Sequence, residues 1–361
     1  MPAATAATRL LRSPMVDLLV GPHGIDRYLE LIRPDLTVRD ARAEVVAVQH
    51  PTPRAVTLKL RPNRAWSGFR AGQFIRVGVE IAGVRRTRTY SPASSPHSPD
   101  GLLELTVTAH TGGLVSGHLH SGVEPGTVVH LGEAQGSFVL PEPRPERLVL
   151  ISGGSGVTPV MSILRTLCDE GHRGEVTFVH YARGAIDWLY RPEVQELAAA
   201  PPGVRVAYVA TREGGEHISA AALRRLGCDL DGAHAAVCGP PALIEAVRSI
   251  WSDLPGGVDR VLAETFTPPA LTVPIGAAQG RLRFLRDGRQ ASIVEGTLLE
   301  QAEAAGLSPK FGCRMGICHT CTCQKASGAV RNILTGRVST EENETIQLCV
   351  SVPAGDVALE I

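Results

Sequence analysis

The sequence predicts a multidomain protein made of an antiparallel β-barrel, an α/β doubly wound domain and a small α+β domain. Three observations carry this reading. Apolar and polar residues alternate with period two through residues 42–141. Apolar runs of buried-strand length alternate with helical segments through 142–262. Four of the eight cysteines, Cys313, Cys318, Cys321 and Cys323, fall within eleven residues of the last segment, 279–361. A chain of 361 residues accommodates this division, because domains run to roughly 100–200 residues.

Composition excludes classes of function. Lys plus Arg and Asp plus Glu are both 36, so net charge favours neither a nucleic-acid partner nor an anionic membrane. The chain is 43% hydrophobic and 20% charged, enough to build a core in each segment. No apolar run approaches the ~18 residues of a membrane span, and Asp17 interrupts the short apolar stretch 16–20, which is too brief for a signal peptide. The expectation is a cytoplasmic protein that meets a membrane only through a partner. In a reducing compartment, clustered cysteines serve metal or redox chemistry sooner than disulfides.

The elements follow in order. Residues 1–41 read as an N-terminal helical arm, with Ile25, Tyr28, Leu29 and Ile32 spaced three and four apart. In the barrel segment 42–141, alternation is clearest at Val56, Leu58 and Leu60, at Ile75, Val77 and Val79, and at Leu103, Leu105 and Val107. Glycine (38) and proline (26) supply the turns between such elements. In 142–262 the apolar runs 148–151, 176–181, 204–209 and 235–238 read as parallel strands, and the helices lie near 159–170, 191–200, 219–226 and 241–254. Residues 263–278 contain three prolines and read as a semi-rigid linker. In 279–361, Asp287-Gly288 marks a hairpin, Thr297 with Glu300 marks a capped helix, and Val357, Leu359 and Ile361 mark a closing strand.

The cysteine spacing is the most specific signal. Cys313-x4-Cys318-x2-Cys321, with Cys349 after 27 residues, is the plant-type [2Fe-2S] spacing. Four thiolates hold two irons, and Gly312 and Gly316 let the loop wrap closely. Zinc is the rival, but paired C-x2–4-C hooks are its usual mark and Cys349 stands alone. Cys323, two residues beyond Cys321, is one thiol more than four ligands require and reads as a buried thiol outside the ligand set. Cys168 and Cys228 read as core residues.

Two further motifs carry chemistry. Arg88-Thr89-Tyr90-Ser91 offers a cation for a diphosphate, a ring to cover an isoalloxazine and a hydroxyl for the reactive edge; by itself it also describes a plain strand. Gly112-Gly113-Leu114-Val115-Ser116 adds a glycine turn into a helix, where Gly113 and Ser116 can meet phosphate. The run LISGGSGVTP (150–159) joins a buried strand to a helix. Gly154 and Gly156 allow close approach to a pyrophosphate, Thr158 can cap, and Pro159 suits the first helical position.

Taken in order with VCGPP (237–241), these motifs resemble the ferredoxin-NADP reductase superfamily over 42–266, and KFGCRMGICHTC (310–321) resembles plant-type ferredoxins over the final 80 or so residues. The resemblance implies a flavin barrel, a nicotinamide-nucleotide domain and a β-grasp ferredoxin domain, with electrons passing from NADPH to FAD to [2Fe-2S] to an acceptor outside the chain. It implies FAD rather than FMN. Arg88, Tyr90, Ser91, Gly113 and Ser116 would serve the flavin, and Gly154, Gly156 and Thr158 the dinucleotide. Arg183 and Arg212 would meet a 2′-phosphate, favouring NADPH over NADH, although Asp187 nearby could instead bind ribose hydroxyls. Glu264 and Phe266 match the Glu-x-aromatic ending of plant reductases, and Cys238 would adjoin the nicotinamide. Ser91, Cys238 and Glu264 are the candidate catalytic residues; Cys313, Cys318, Cys321 and Cys349 are the candidate metal ligands.

The whole chain, including GPHGIDRY (21–28), looks most like reductases that feed membrane acyl-CoA desaturases. The alternatives are the reductase component of a ring-hydroxylating oxygenase or acyl-CoA monooxygenase and, from other classes, a non-catalytic iron-sulfur redox sensor or a zinc-stabilised scaffold.

Overall fold

Strands form where apolar and polar side chains alternate, because alternate residues face opposite sides of a sheet. The computed structural model describes residues 16, 24–30, 32–33, 35, 37–199, 204–266, 280–312, 314, 316, 319–334 and 336–361. They fall into two units, Met1–Phe266 and Thr267–Ile361. Most of the expected arm, the stretch 267–279 of the expected linker, and both Cys313 and Cys318 lie outside the described residues.

The first unit opens with helix α1, Gly24–Glu30. The Asp26 carboxylate accepts backbone N–H bonds from Val38 (2.6 Å) and Arg39 (2.9 Å), tying the helix to the entry of the barrel. Six antiparallel strands follow: β1 (Arg42–Thr52), β2 (Ala55–Pro62), β3 (Ile75–Ile81), β4 (Val84–Tyr90), β5 (Leu103–Thr108) and β6 (Val128–Leu131). Their order is β4-β3-β6-β1-β2-β5. Val45, Leu58, Leu60, Ile75, Val77, Leu105 and Val129 meet in a single core with Val115 and Leu119 of α2 (Leu114–Ser121), so the sheet wraps one interior as a barrel does. The sequence marks β4 weakly because VRRTRTY stands at the end of the strand order and half of it is exposed.

The second half of this unit has five parallel strands: β7 (Arg147–Gly153), β8 (Glu175–Ala182), β9 (Val204–Ala210), β10 (His234–Cys238) and β11 (Val261–Glu264), in the order β11-β10-β7-β8-β9. The helices are α3 (Val157–Asp169), α4 (Arg191–Ala199), α5 (Ala220–Arg225) and α6 (Pro241–Ser252). Leu148, Leu150, Val176 and Phe178 pack on α3, while Val149, Ile151, Val179 and Val237 face Leu223 of α5 and Val247 and Trp251 of α6. Burial on both faces explains the unbroken apolar runs. The chain reverses direction across the sheet between β7 and β10, and this topological switch point is where such folds bind ligands.

Two local expectations change here. Ala263 and Glu264 belong to β11, paired with Val237 and Cys238, and not to a linker; a four-residue, half-buried edge strand has too short a pattern to read. A 3-10 turn over Gly154–Gly156 starts α3 at Val157, so Thr158 and Pro159 are its second and third residues and Gly156 is the cap. Thr158 Oγ1 donates to the Ser155 carbonyl (3.3 Å) instead of capping. Proline is tolerated there because first-turn N–H groups have no intrahelical acceptor.

The second unit is an α+β fold. Strands β12 (Arg281–Phe284) and β13 (Arg289–Ser292) form the expected hairpin, with Gly288 at φ +68°. Thr297 and Glu300 make the reciprocal capping box of α7 (Leu298–Ala304). Strands β14 (Thr322–Asn332), β15 (Val338–Ser339), β16 (Glu344–Gln347) and β17 (Ser351–Leu359) complete the sheet β13-β12-β17-β14-β15, with β16 beside β14. The closing strand runs parallel to β12. Leu282, Phe284, Leu298, Leu299, Val330, Val357 and Leu359 share its core with Cys321 and Cys349. Among the described residues no helix is long and apolar enough to cross a membrane.

Candidate functional site

Arg88, Tyr90 and Ser91, the residues expected to serve the flavin, gather at the end of β4. Arg88 lies opposite Val77, and its Nη1 donates to the Thr87 carbonyl (2.8 Å). Burial pushes the Tyr90 phenol up to about 12, against the pull of Arg88. Ser91 is 3% exposed and its Oγ has no hydrogen-bond partner among the described residues. Tyr90 pairs with Ile75, and the preceding Phe74 bridges Gln135. A Cβ on Gly136 would stand 3.1 Å from the Phe74 ring and 3.7 Å from Glu264 Oε1, so Gly136 lies between Phe74 and Glu264. Glu264 Oε2 is also buried without a partner, and burial raises the carboxyl to about 8. Leaving such a group unpaired costs about 1–3 kcal/mol, which a bound hydrogen-bonding ring system would recover.

The turn at Gly113, expected to meet flavin phosphate, is built differently from the simplest expectation. Ser116 Oγ accepts from His110 N (3.3 Å) and donates to the Gly113 carbonyl (3.4 Å), so its hydroxyl is committed within the turn. A Cβ at Gly113 would lie 2.4 Å from that oxygen. Gly113 therefore makes room for Ser116.

At the switch point the three glycines divide their tasks. Gly154 has φ +56° and open space where a Cβ would sit, so a ligand can approach. Gly156 packs against β10: its Cβ would fall 2.3 Å from the Cys238 carbonyl oxygen. Gly153 meets the Gly239-Pro240 turn in the same way, at 2.8 Å from Pro240 Cδ. The turns after β7 and β10 are thus held together by glycine contacts, leaving Gly154 exposed at their junction.

Strand register also aligns Glu264, Cys238, Ser152, His180 and Tyr208 as one row across all five strands. Cys238 is fully buried, and burial, then the Glu264 charge, push its thiol far up. Ser152 Oγ and His180 Nδ1 lie 2.9 Å apart, and burial lowers the imidazole to about 4. Sequence reasoning gave Ser152 and His180 no role, because only the register places them in line with Cys238; the one available signal was a histidine inside the apolar run 176–181. Phe266 is half-buried and packs on the core that holds Cys238 and Phe138. Arg183 and Arg212 are both exposed at the ends of β8 and β9 and are brought side by side by the bond from Arg212 N to the Arg183 carbonyl (3.0 Å). Asp187 lies in the short turn that follows Arg183.

In the cysteine domain, Cys321 and Cys349 are buried, and Cys349 N–H points at Cys321 Sγ (3.4 Å), the polarity a thiolate ligand requires. Gly316, at φ +77°, has no space for a Cβ between Leu334 and Val350. Arg314 pairs with Glu303 (2.5 and 3.0 Å) and lies 4.0 Å over the Phe311 ring, anchoring the loop to α7. Cys323 is half-buried on β14 opposite Ile346, and burial, then Cys321, push it up to about 12. Cys228 is buried as expected, but Cys168 is exposed, because it falls on the outer side of the last turn of α3.

Three family models match the chain: an oxidoreductase FAD-binding domain at residues 44–140, an oxidoreductase NAD-binding domain at 150–249 and a 2Fe-2S iron-sulfur cluster binding domain at 284–354. The chain is 36% identical to an NADPH oxidoreductase of Mycobacterium tuberculosis, over 93% of this chain and 88% of that one. It is 29% identical to the glycine betaine monooxygenase reductase subunit of Pseudomonas aeruginosa, over 81% and 87%. Phthalate dioxygenase reductase shares the fold, with a TM-score of 0.60 and 21% identity over 89% of this chain and 97% of that one. The expectation of an acyl-CoA desaturase as acceptor is overturned here: relatives named for the system they serve include reductase subunits or components of monooxygenases and of an N-demethylase, and none of these relatives is named for a desaturase. The unpartnered Ser91 and Glu264, the open turn at Gly154 and the N–H aimed at Cys321 fit the three cofactors, which are FAD, NADPH and a [2Fe-2S] cluster. The chain belongs to the ferredoxin-NADP reductase-type, NAD(P)H-dependent flavin oxidoreductases that carry a fused [2Fe-2S] ferredoxin domain.

Proposed function

We propose that this protein is the reductase component of an oxygenase, drawing reducing equivalents from NADPH and delivering them singly to an oxygenase partner. The observation that carries the reading is the cluster domain built into the same chain as the flavin and nucleotide domains, together with the likeness to a monooxygenase reductase subunit along four-fifths of the sequence. When bound, FAD converts a two-electron donor into single electrons and the cluster passes them on.

The chain's own residues orient the partners. Arg88 holds the flavin diphosphate, Tyr90 covers the ring, and Ser91 Oγ, otherwise unpaired, hydrogen-bonds its reactive edge. Gly113 and Ser116 shape the second phosphate turn. Gly154, Gly156 and Thr158 place the dinucleotide at the switch point, and Arg183 with Arg212 meets the 2′-phosphate. Cys238, a neutral thiol, lines the nicotinamide pocket. Glu264 keeps its proton at neutral pH and serves as a hydrogen-bonding carboxyl, while Phe266 shields that side from water. Cys313, Cys318, Cys321 and Cys349 hold the cluster.

Anaerobic addition of NADPH should bleach the flavin and give the EPR signal of a reduced [2Fe-2S] cluster. Mixing that reduced protein with a purified monooxygenase or ring-hydroxylase component should then reduce the component's metal centre. Failure to pass electrons to any oxygenase component, with the EPR signal intact, would reject the oxygenase role while leaving the reductase.

A further inference from the structure

We infer that one face of α3, formed by Ser162, Arg165 and Thr166, is a strut that fixes the flavin-side loop 91–95 relative to the dinucleotide turn, and that these three are positioning residues for hydride transfer. The inference rests on the reading of Ser91 and of the Gly154 turn as flavin and dinucleotide sites.

Positions 162, 165 and 166 share one helix face, since residues three and four apart are neighbours. Each touches the loop that begins at Ser91. Ser162 Oγ donates to the Ser94 carbonyl (2.7 Å) and Arg165 Nη1 to the Ala93 carbonyl (2.8 Å), while Thr166 Oγ1, which donates to the Ser162 carbonyl of its own helix (2.7 Å), lies 3.4 Å from Ser95 Oγ. Ser162 is fully buried and Thr166 is 3% exposed. Arg165 Nη1 also reaches Glu104 Oε1 on β5 of the barrel (2.8 Å), while its Nε and Nη2 grip Glu193 of α4 (2.6 Å each). Its guanidinium lies 5.2 Å from the centre of the Tyr190 ring, and the Tyr190 hydroxyl bonds Thr106 of the barrel. Tyr190 holds φ +58°, a strained angle for a tyrosine, which the surrounding contacts must maintain.

The same helix begins at the glycine turn. Val157 and Arg165 are thus separated by a rigid rise of about 12 Å at ~1.5 Å per residue. The dinucleotide turn sits at one end of this rod and the Ser91 loop is bonded to its middle, so the rod sets the distance between them. A planar guanidinium bonded to four acceptors fixes angle as well as distance, which a hydrophobic contact would not do. Hydride transfer is sensitive to such placement: an error of about 1 Å can cost about 100-fold.

The test uses the full chain loaded with FAD and its cluster, with Arg165→Met, Arg165→Lys and Ser162→Ala. Arg165→Met should slow flavin reduction at saturating NADPH by about tenfold or more, while FAD retention and the dissociation constant for NADP+ change by less than about twofold. Amide exchange at Ala93 and Glu104 should accelerate, since Ala93 N donates to the Glu104 carbonyl and Glu104 N to Ser94 Oγ within the held loop. Arg165→Lys, lacking the fork, should recover only part of the rate. Ser162→Ala should act in the same direction by about threefold, and it decides the matter if Arg165→Met fails to fold. Unchanged flavin reduction in both Arg165→Met and Ser162→Ala overturns the strut, as does a rate loss matched by an equal loss of FAD or NADP+ affinity. Ser91→Ala separates the two levels: if it slows hydride transfer and the α3 variants do not, the strut alone falls, and if it too is without effect, the underlying site assignment falls.

Discussion

Ser91 and Glu264 are buried with a hydrogen-bonding atom left over, whereas the fully buried Lys325 of the ferredoxin domain donates to the carbonyls of Gly328 (2.8 Å) and Glu341 (2.5 Å) and lies 4.0 Å from Glu344. The contrast follows the chemistry. Hydride transfer moves a nucleus and needs dipoles that a bound ring can engage, so the first unit keeps polar atoms in reserve. Electron transfer moves no nucleus, and in the cluster domain the buried ammonium of Lys325 is held by backbone carbonyls. Among the described residues there, the two buried oxygens left without a hydrogen bond, Ser339 Oγ and Glu344 Oε2, belong to side chains outside the cysteine loop, and the Cys349 N–H points at Cys321 Sγ.

The comparison can be broken most sharply at the cluster. Cys321→Ser should abolish the [2Fe-2S] EPR signal and all transfer to a one-electron protein acceptor, yet leave NADPH-driven ferricyanide reduction by the flavin. Loss of both activities together would mean that the two halves do not work separately. Next in size, Ser91→Ala should lower the stopped-flow rate of flavin reduction by about 100-fold, the usual loss for one oriented donor, with the cluster's visible spectrum unchanged. Arg212→Ala should raise the KM for NADPH by about tenfold, as expected for loss of a charge-assisted bond, and leave that for NADH within about twofold; equal changes would remove Arg212 from the 2′-phosphate site.

The smallest rate effect is expected of Glu264→Gln, an uncharged isostere of a carboxyl that stays protonated at pH 7: no more than about a threefold loss. Its signature is in stability. The folded carboxyl titrates near 8 and the unfolded one near 4.5. Between these values the folded state keeps a proton that the unfolded chain releases, so wild-type stability falls as pH rises from about 4.5 to about 8 and then levels. Thermal unfolding of the variant should lose this slope; retention of the full slope would show that the carboxyl is not held neutral.

Much of this molecule was legible as pattern. Strands with clean alternation, such as Leu103–Thr108, and the capping box at Thr297 are local, so few residues suffice to specify them. Edge strands were harder: β4 is rich in arginine, and β11 has four residues, too few to distinguish from a linker. The site divides in the same way. The cysteine spacing and the glycine turn announce themselves because cofactor geometry constrains neighbours in sequence. The alignment of Ser152 and His180 with Cys238, and the grip of Arg165 on Ala93, join residues far apart in the chain, and no spacing encodes them.

The sequence by itself determined the three-module order and the cofactors, since each depends on short segments whose residue types and intervals suit the group they bind. Only the tertiary structure decided that Gly154 borders open space while Gly156 packs on Cys238, that Ser116 spends its hydroxyl inside its own turn, and that Ser91 Oγ and Glu264 Oε2 are left without a partner among the described residues. Those properties depend on which atoms burial brings within hydrogen-bonding distance, and that distance is fixed by sheet register and helix packing across the whole unit.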